Sequence, residues 1–123
     1  MIKPGPMKQI LLGDKTMEVR NFYCRCVKAG ETFYLLRLGK GKNASGQNCV
    51  ELVGKAKFVS NHFIPHKCFQ NFFEEHRVSQ EDYAFMRSAW SRDRGGCIGW
   101  RLELVEKFQP PMYIAHTCQE GFG

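Results

Sequence analysis

The sequence predicts a single α+β domain in which a curled or barrel-like sheet packs against short helices. Three observations predict this class. Several segments alternate apolar and polar residues with the two-residue period of a strand, and two regions carry apolar residues at helical spacing. The order of these segments is a helix, several strands, helices and a strand. With 123 residues in total, the chain is too short for two separate cores, so residues 1–123 are expected to form one domain.

A short helix and a strand open the chain. Pro6 suits the first turn of a helix and Gly13 suits its end, and the apolar residues between them have helical spacing. In the segment that follows, residues 15–23, Met17 and Val19 alternate with charged residues. This pattern predicts a first strand with one face in the core and a charged second face.

The later strands follow from apolar runs and from turn residues. They are predicted over residues 32–38, 49–58, 97–108 and 112–115. Gly54 is expected to bend the third strand, because a glycine inside a strand often marks a bulge. Pro110 and Pro111 are expected to end the fourth strand before the short last one, because proline has no N–H for the ladder.

Two short helices are predicted in the middle of the chain, over residues 65–75 and 80–90. The aromatic residues of the first segment have helical spacing and are expected to pack on the sheet. Ser79, followed three residues later by Asp82, resembles a capping box at the start of the second helix.

Composition limits the functional classes. Apolar residues make up 43% of the chain and charged residues 24%, which favours a packed domain over disorder. No window is apolar enough to span a membrane, and the first residues lack the apolar core of a signal peptide. We therefore expect a soluble intracellular protein, cytoplasmic or nuclear, with no membrane partner.

The formal net charge is +6, and the excess of positive charge lies in the first half of the chain. Residues 1–60 contain 11 basic and 4 acidic residues, against 7 and 8 in residues 61–123. One basic patch would form if the second strand, the following loop and the third strand meet in space, and its residues would be Arg37, Lys40, Lys42, Lys55 and Lys57. Such a patch favours polyanions and above all nucleic acid. The alternative is that this charge serves only solubility.

Aromatic residues near the basic patch are candidate stacking surfaces for bases. They are Phe22, Tyr23 and Trp100. Trp100 is in phase with the apolar residues of its strand, so a place in the core is the simpler interpretation for it.

The six cysteines and four histidines predict neither a disulfide framework nor a metal site. Cys24 and Cys26 are one residue apart, and no secretory signal is evident, so free thiols are expected. The other cysteines and histidines lack the paired spacing of structural zinc sites. Neither a metal nor a cofactor is therefore expected.

Three charged residues accompany the first strand. Lys15 lies at the turn after the first helix, and Glu18 and Arg20 lie on the face of the strand opposite Met17 and Val19. On an open surface they would form an exposed ion pair worth about 0–1 kcal/mol. In a cleft, Lys15 would donate to a phosphate or carbonyl, and the other two would bind the edge of a base.

This stretch resembles the signature of the ASCH domain family, Gly-x-Lys-x-x-Glu-x-Arg after a short helix, which is filled here by Gly13, Lys15, Glu18 and Arg20. Residues 2–4, 29–36, 99–102 and 108–110 are similar to the opening, next and closing strands of that family. The resemblance implies a β-barrel of mixed strands, related to the RNA-binding PUA fold, with flanking short helices. It also implies a cleft lined by the signature residues.

The expected partner is RNA, a nucleotide or a modified nucleoside. Lys3 lies near the signature in the topology of the family, and Lys40 and Lys42 lie on a glycine-containing loop where they would follow a phosphate backbone. The candidate ligand-binding residues are Lys3, Lys15, Glu18, Arg20, Lys40 and Lys42.

An alternative function is amide hydrolysis. A small bacterial branch of the ASCH family hydrolyses acetylated cytidine, and resemblance to it implies a lysine, a threonine and a glutamate working together. Lys15 matches the lysine, whereas Glu18 fills the position of the threonine. The glutamate would be Glu75, so Lys15 and Glu75 are the candidate catalytic residues. The competing interpretation of Glu75 is a solvated residue at a helix end.

Overall fold

A computed structural model describes residues 2–42, 46 and 48–114. Its helices are α1 (Pro4–Leu11), α2 (Phe73–His76) and α3 (Gln80–Ser88), with a 3-10 helix over His66–Phe72. Its strands are β1 (Met17–Arg20), β2 (Thr32–Lys42), β3 (Asn48–Pro65) and β4 (Gly96–Ile114). The predicted α+β class is confirmed. No helix within the described residues is long and apolar enough to cross a membrane.

The strands form one curled sheet in the order β1-β4-β3-β2. β3 and β4 are the long central strands, which pair from Val50 with Ile114 to Pro65 with Gly96. β2 pairs with β3 on one side, and the short β1 pairs with the start of β4 on the other. Every strand pair in the described part of the chain is antiparallel. The mixed strands implied by the resemblance are therefore not observed there, and β1 and β2 form the two edges of a half-barrel.

Two clusters of buried side chains hold the helices on the sheet. The first joins α1 to the sheet and contains Met7, Ile10, Cys24, Leu35, Val53, Ala56, Phe58 and Leu102. The second joins β1, the 3-10 helix and α3 and contains Met17, Val19, Ile64, Phe69, Tyr83 and Cys97. Burial of each large apolar side chain contributes about 1.5–3 kcal/mol, and the short helices depend on this packing because they are marginal alone.

The predicted helix at the start of the chain is confirmed, although it begins before Pro6. Pro4 takes the first helical position, where a missing N–H is tolerated. Gly13 follows the helix with φ +83°, a left-handed conformation that glycine adopts without strain. The opening strand that the resemblance implies at residues 2–4 is not observed, since α1 begins at Pro4.

The predicted third strand is confirmed and extends seven residues further, to Pro65. The register shifts between Leu52 and Gly54, which confirms the predicted irregularity. A Cβ at Gly54 would lie 2.7 Å from the carbonyl oxygen of Glu106, so only glycine allows the two strands to approach this closely.

The prediction that Pro110 and Pro111 end a strand is wrong, because β4 runs from Gly96 to Ile114. The register passes from Lys107 directly to Met112. Both prolines therefore lie in an unpaired stretch, where the absence of a proline N–H costs no ladder hydrogen bond. The two predicted strands are one strand with an interruption.

The helices of the middle region are shorter than predicted. The segment 65–75 forms the 3-10 helix followed by the single turn of α2, and the segment 80–90 forms α3, which ends at Ser88. The predicted cap is confirmed, since the Ser79 hydroxyl accepts a hydrogen bond from the Asp82 N–H at 3.1 Å. The Phe69 ring stacks on the Tyr83 ring at a centroid distance of 3.6 Å, which fixes the 3-10 helix against α3.

His76 ends α2 and is fully buried. Its Nε2 donates to the Phe69 carbonyl at 2.9 Å, and its Nδ1 accepts from the Val78 N–H at 2.9 Å. This pattern requires a neutral imidazole, because a protonated Nδ1 has no lone pair for the Val78 N–H. Burial lowers the pKa of His76 below its ordinary value of 6.5.

We expect the free energy of unfolding to decrease as the pH falls through about 6.5. The unfolded chain binds a proton at His76 in that range, whereas the folded chain resists it, so protonation favours unfolding. Urea unfolding at a series of pH values measures the slope. His76→Gln should lose this dependence and His62→Gln should keep it. Equal slopes in the two variants would contradict the assignment.

Candidate functional site

The site is built on β1, which is short because only its four residues pair with β4. Met17 and Val19 enter the second core cluster, so the intervening Glu18 and the following Arg20 belong to the opposite face. Gly99 of β4 lies opposite Val19, and any side chain there would clash with the Met17 thioether. The predicted alternation along this strand is confirmed.

Glu18 holds a charged side chain on either side. Its Oε1 lies 3.6 Å from the Lys15 Nζ and its Oε2 lies 3.1 Å from the Arg20 guanidinium. Lys15 is 2% exposed and Glu18 is 8% exposed, so both are shielded from water, whereas the Arg20 side chain is 31% exposed. Burial lowers the pKa of Lys15, an effect that the Glu18 carboxylate opposes. The interpretation as a solvent-exposed ion pair is therefore wrong for Lys15 and Glu18.

Lys15 also connects β1 to the end of α2. Its Nζ donates a short hydrogen bond to the His76 carbonyl, and the Thr16 N–H donates to the Glu75 carbonyl at 2.9 Å. Lys15 borders a cleft of about 540 Å³ between α1 and α3, which Lys3 also lines. Lys15 thus touches Glu18 but faces a cleft different from the cavity that Glu18 lines.

Glu18 and Arg20 line a small cavity of about 100 Å³. The remaining lining residues are mostly apolar and include aromatic rings: Ile2, Cys24, Cys26, Val27, Phe33, Phe58, Trp100 and Leu102. Polar groups in an otherwise apolar cavity orient a ligand, while the walls exclude water.

Trp100 lines this cavity with an indole ring whose orientation is fixed by its neighbours. Its Nε1 donates to the Phe22 carbonyl at 2.8 Å, and the Phe22 ring meets it edge to face at a centroid distance of 5.4 Å. The Arg20 guanidinium lies over the Trp100 ring at 5.7 Å from its centroid. Trp100 is half-buried against the first core cluster, so it serves both the core and the cavity.

A second, more open depression of about 320 Å³ adjoins the cavity. The two share Ile2, Arg20, Phe33 and Trp100. The depression continues along β2 to Tyr34, whose side chain is exposed and lies 6.3 Å, centroid to centroid, from the Phe108 ring. Consecutive residues of a strand point to opposite faces, so the rings that the cavity and the depression share are those of Phe33 and Trp100.

Glu75 is held by a residue other than Lys15. Its carboxylate accepts two hydrogen bonds from Arg101, at 2.9 and 3.3 Å, and this pairing raises the pKa of Arg101. The carboxylate within reach of the Lys15 ammonium is that of Glu18.

Acidic residues surround much of the predicted basic patch. Arg37 forms two hydrogen bonds to the Glu51 carboxylate, at 3.1 and 3.2 Å. Lys55 and Lys57 stand opposite Glu106 and Glu103 on β4, and directly opposed residues share a face of the sheet. Lys40 and Lys42 were predicted on a loop, and this is wrong because β2 extends to Lys42; their side chains lie outside the described part of the structure.

Two kinds of residue in the cavity escaped the sequence analysis. Phe33 reads as an ordinary core position in an apolar strand, and Cys24 and Cys26 carry no pattern that points to a cavity. Only the pairing of β1 with β4 and the path of the chain before β2 bring them beside Glu18. Among the described residues, no group of three metal-ligating side chains comes together.

Comparison with known proteins gives no assignment. No protein-family model matches the chain, and no curated protein matches it.

Proposed function

We propose that this protein is an RNA-binding domain of the ASCH type that holds one unpaired base in the cavity beside Trp100. The observation that carries the proposal is the composition of that cavity: aromatic and aliphatic walls with one carboxylate and one guanidinium. Unpaired bases are recognised by stacking on aromatic rings and by hydrogen bonds to their edges. The family resemblance itself stays a prediction that rests on Gly13, Lys15, Glu18 and Arg20 in the sequence.

The polar groups of the cavity favour a base that carries an amino group. The Glu18 carboxylate only accepts hydrogen bonds, so it pairs with the exocyclic amino group of cytosine or adenine. The Arg20 guanidinium has five N–H donors. Its NH2 nitrogen binds Glu18, which leaves other donors for a ring nitrogen or carbonyl of the same base.

The adjoining depression favours a strand over a free nucleoside. Phe33 and Trp100 line both the cavity and the depression, and each stacked base contributes about 1–3 kcal/mol in single-strand binding. Lys3, exposed at the neighbouring cleft, adds positive charge for a backbone phosphate. A free nucleoside would fill the cavity and leave the depression unused.

Fluorescence anisotropy of labelled RNA tests the proposal. We expect single-stranded RNA to bind more tightly than a duplex of the same sequence, with an affinity that falls as salt rises. Arg20→Ala should weaken binding roughly 10- to 100-fold, as expected for the loss of a contact to a base edge. The exposed Arg92→Ala is the matched control and should bind normally. Equal binding of single strand and duplex, or normal binding by Arg20→Ala, would contradict the proposal.

Hydrolysis of an acetylated nucleoside is the second candidate function. It is favoured by Lys15, a buried amine whose lowered pKa suits proton transfer, with the Glu18 carboxylate 3.6 Å away. Incubation with acetylcytidine tests it. Release of acetate by the wild type and not by Lys15→Ala would establish the activity, and the absence of acetate release would exclude it.

A further inference from the structure

Two cysteine thiols share the wall of the base cavity. Cys24 and Cys26 both line it, together with Glu18, Arg20 and Trp100. Both are free thiols. Cys24 is buried and Cys26 is exposed, so one sulfur is protected within the cavity while its neighbour is accessible to a reagent.

The backbone of Cys24 is held against strand β3. The Cys24 N–H donates to the Asn61 Oδ1 at 2.9 Å, and the Asn61 Nδ2 donates to the Cys24 carbonyl at 3.1 Å. Asn61 belongs to β3, so this pair of hydrogen bonds fixes Cys24 to the sheet. Cys26 follows two residues after this pair of hydrogen bonds, in a bend of the segment that leads to β2.

The two thiols interact with each other. Burial raises the pKa of Cys24 and the neighbouring Cys26 thiol raises it further, whereas a hydrogen bond from the Val27 backbone opposes the rise. Because Cys24 is buried and Cys26 is exposed, Cys26 is the thiol placed to react first.

We propose that Cys24 and Cys26 are a redox-active dithiol that closes to a disulfide in the wall of the cavity and thereby regulates base binding. The oxidant is a low-molecular-weight disulfide. The Cys26 thiolate attacks one of its sulfurs, its S–S bond breaks, and one thiol leaves. The Cys24 thiolate then attacks the Cys26 sulfur and displaces the second thiol. The two cysteines lose two protons and two electrons, and the reagent takes these up to become two thiols.

The disulfide would be easily reduced, and its formation would change the shape of the cavity. Cysteines separated by one residue close a small ring, and strained disulfides are readily reduced. Closure moves the Cys26 sulfur toward Cys24, which changes the cavity wall beside Glu18 and Trp100. The formation of the disulfide rests on the shared place of the two cysteines in the cavity wall and on the exposure of Cys26, whereas its effect on RNA binding rests on the proposed function.

Arg25 lies between the two cysteines and provides a direct test. The protein is treated with oxidised glutathione, blocked with an alkylating reagent and digested with trypsin, which cleaves after Arg20, Arg25 and Lys28. Closure of the disulfide predicts that peptides 21–25 and 26–28 remain joined after cleavage, and that dithiothreitol separates them. Glutathione left on Cys26, or both thiols alkylated, would overturn the proposal.

Three variants define the mechanism. Cys24→Ser should stop at a glutathione adduct on Cys26, Cys26→Ser should leave Cys24 unmodified, and the control Cys68→Ser should still form the joined peptides.

Oxidised wild type should bind single-stranded RNA about tenfold more weakly than reduced wild type, equivalent to one lost base contact. A disulfide that forms without this change would overturn the regulatory role. Failure of the reduced protein to bind RNA would overturn the proposed function instead.

Discussion

Glu18→Gln should lower both the stability of the domain and its affinity for RNA. The carboxylate lies between Lys15 and Arg20 and is mostly buried, so removing its charge leaves Lys15 without its ionic partner. Loss of one member of a buried ion pair costs about 3 kcal/mol. Binding should weaken about tenfold, because Gln keeps one acceptor oxygen but loses the charge that strengthens the hydrogen bond to the amino group of the base.

The stability loss in Glu18→Gln should depend on pH in a defined direction. Without the carboxylate, the pKa of folded Lys15 falls further below its ordinary value of 10.5. Between the lowered pKa of folded Lys15 and 10.5, the unfolded chain binds more protons than the folded chain, so the cost of the lowered pKa disappears as the pH approaches 10.5. The deficit measured by urea unfolding at neutral pH should therefore shrink near pH 10.

The matched control is Glu74→Gln, which removes an exposed carboxylate paired with Arg77. It should change the unfolding free energy by less than about 1 kcal/mol and leave RNA binding unchanged. Equal effects of Glu18→Gln and Glu74→Gln would show that the triplet on β1 is an ordinary surface ion pair.

Trp100→Ala should cause the largest loss of RNA affinity. The indole forms one wall of the cavity. Its orientation is fixed by its hydrogen bond to the Phe22 carbonyl and by its contact with the Phe22 ring. Removal of one stacking ring costs about 1–3 kcal/mol of binding, so we expect a loss of roughly 5- to 150-fold in an anisotropy titration.

A second substitution separates stacking from folding at this position. Trp100→Phe keeps an aromatic face but loses the hydrogen bond to Phe22, so it should retain an intermediate affinity. Because Trp100 also packs on the first core cluster, each variant is first checked for a cooperative unfolding transition. A folded Trp100→Ala that binds RNA like the wild type would contradict the placement of the base.

Local patterns in the sequence predicted the elements that their own residues define. The proline and glycine of α1, the alternation of β1 and the cap at Ser79 each depend on neighbours within a few positions, and each is confirmed. The extent of β3 and β4 depends instead on pairing between segments distant in sequence. A proline indicates from its own chemistry that strand pairing stops. In this sheet β4 pairs with β3 again after Pro110 and Pro111, which no local pattern indicates.

The site was predictable only in part, for the same reason. The charges on β1 follow from its alternation, and the structure brings Lys15, Glu18 and Arg20 together. The separation of Lys15 from the cavity depends on the end of α2, whose carbonyl binds the lysine. The alternation along its strand predicted a place in the core for Trp100. The structure shows that Trp100 also lines the cavity, because β4 pairs with β1, which carries Glu18 and Arg20.

The emission of Trp100 during titration with single-stranded RNA tests the central claim most directly. Trp90 is the other tryptophan of the chain, so a Trp90→Phe protein reports on Trp100 alone. A base stacked in the cavity predicts saturable quenching with the same midpoint as the anisotropy titration, and none with duplex RNA. Unchanged emission while anisotropy reports bound RNA would place the strand elsewhere on the domain and contradict the account.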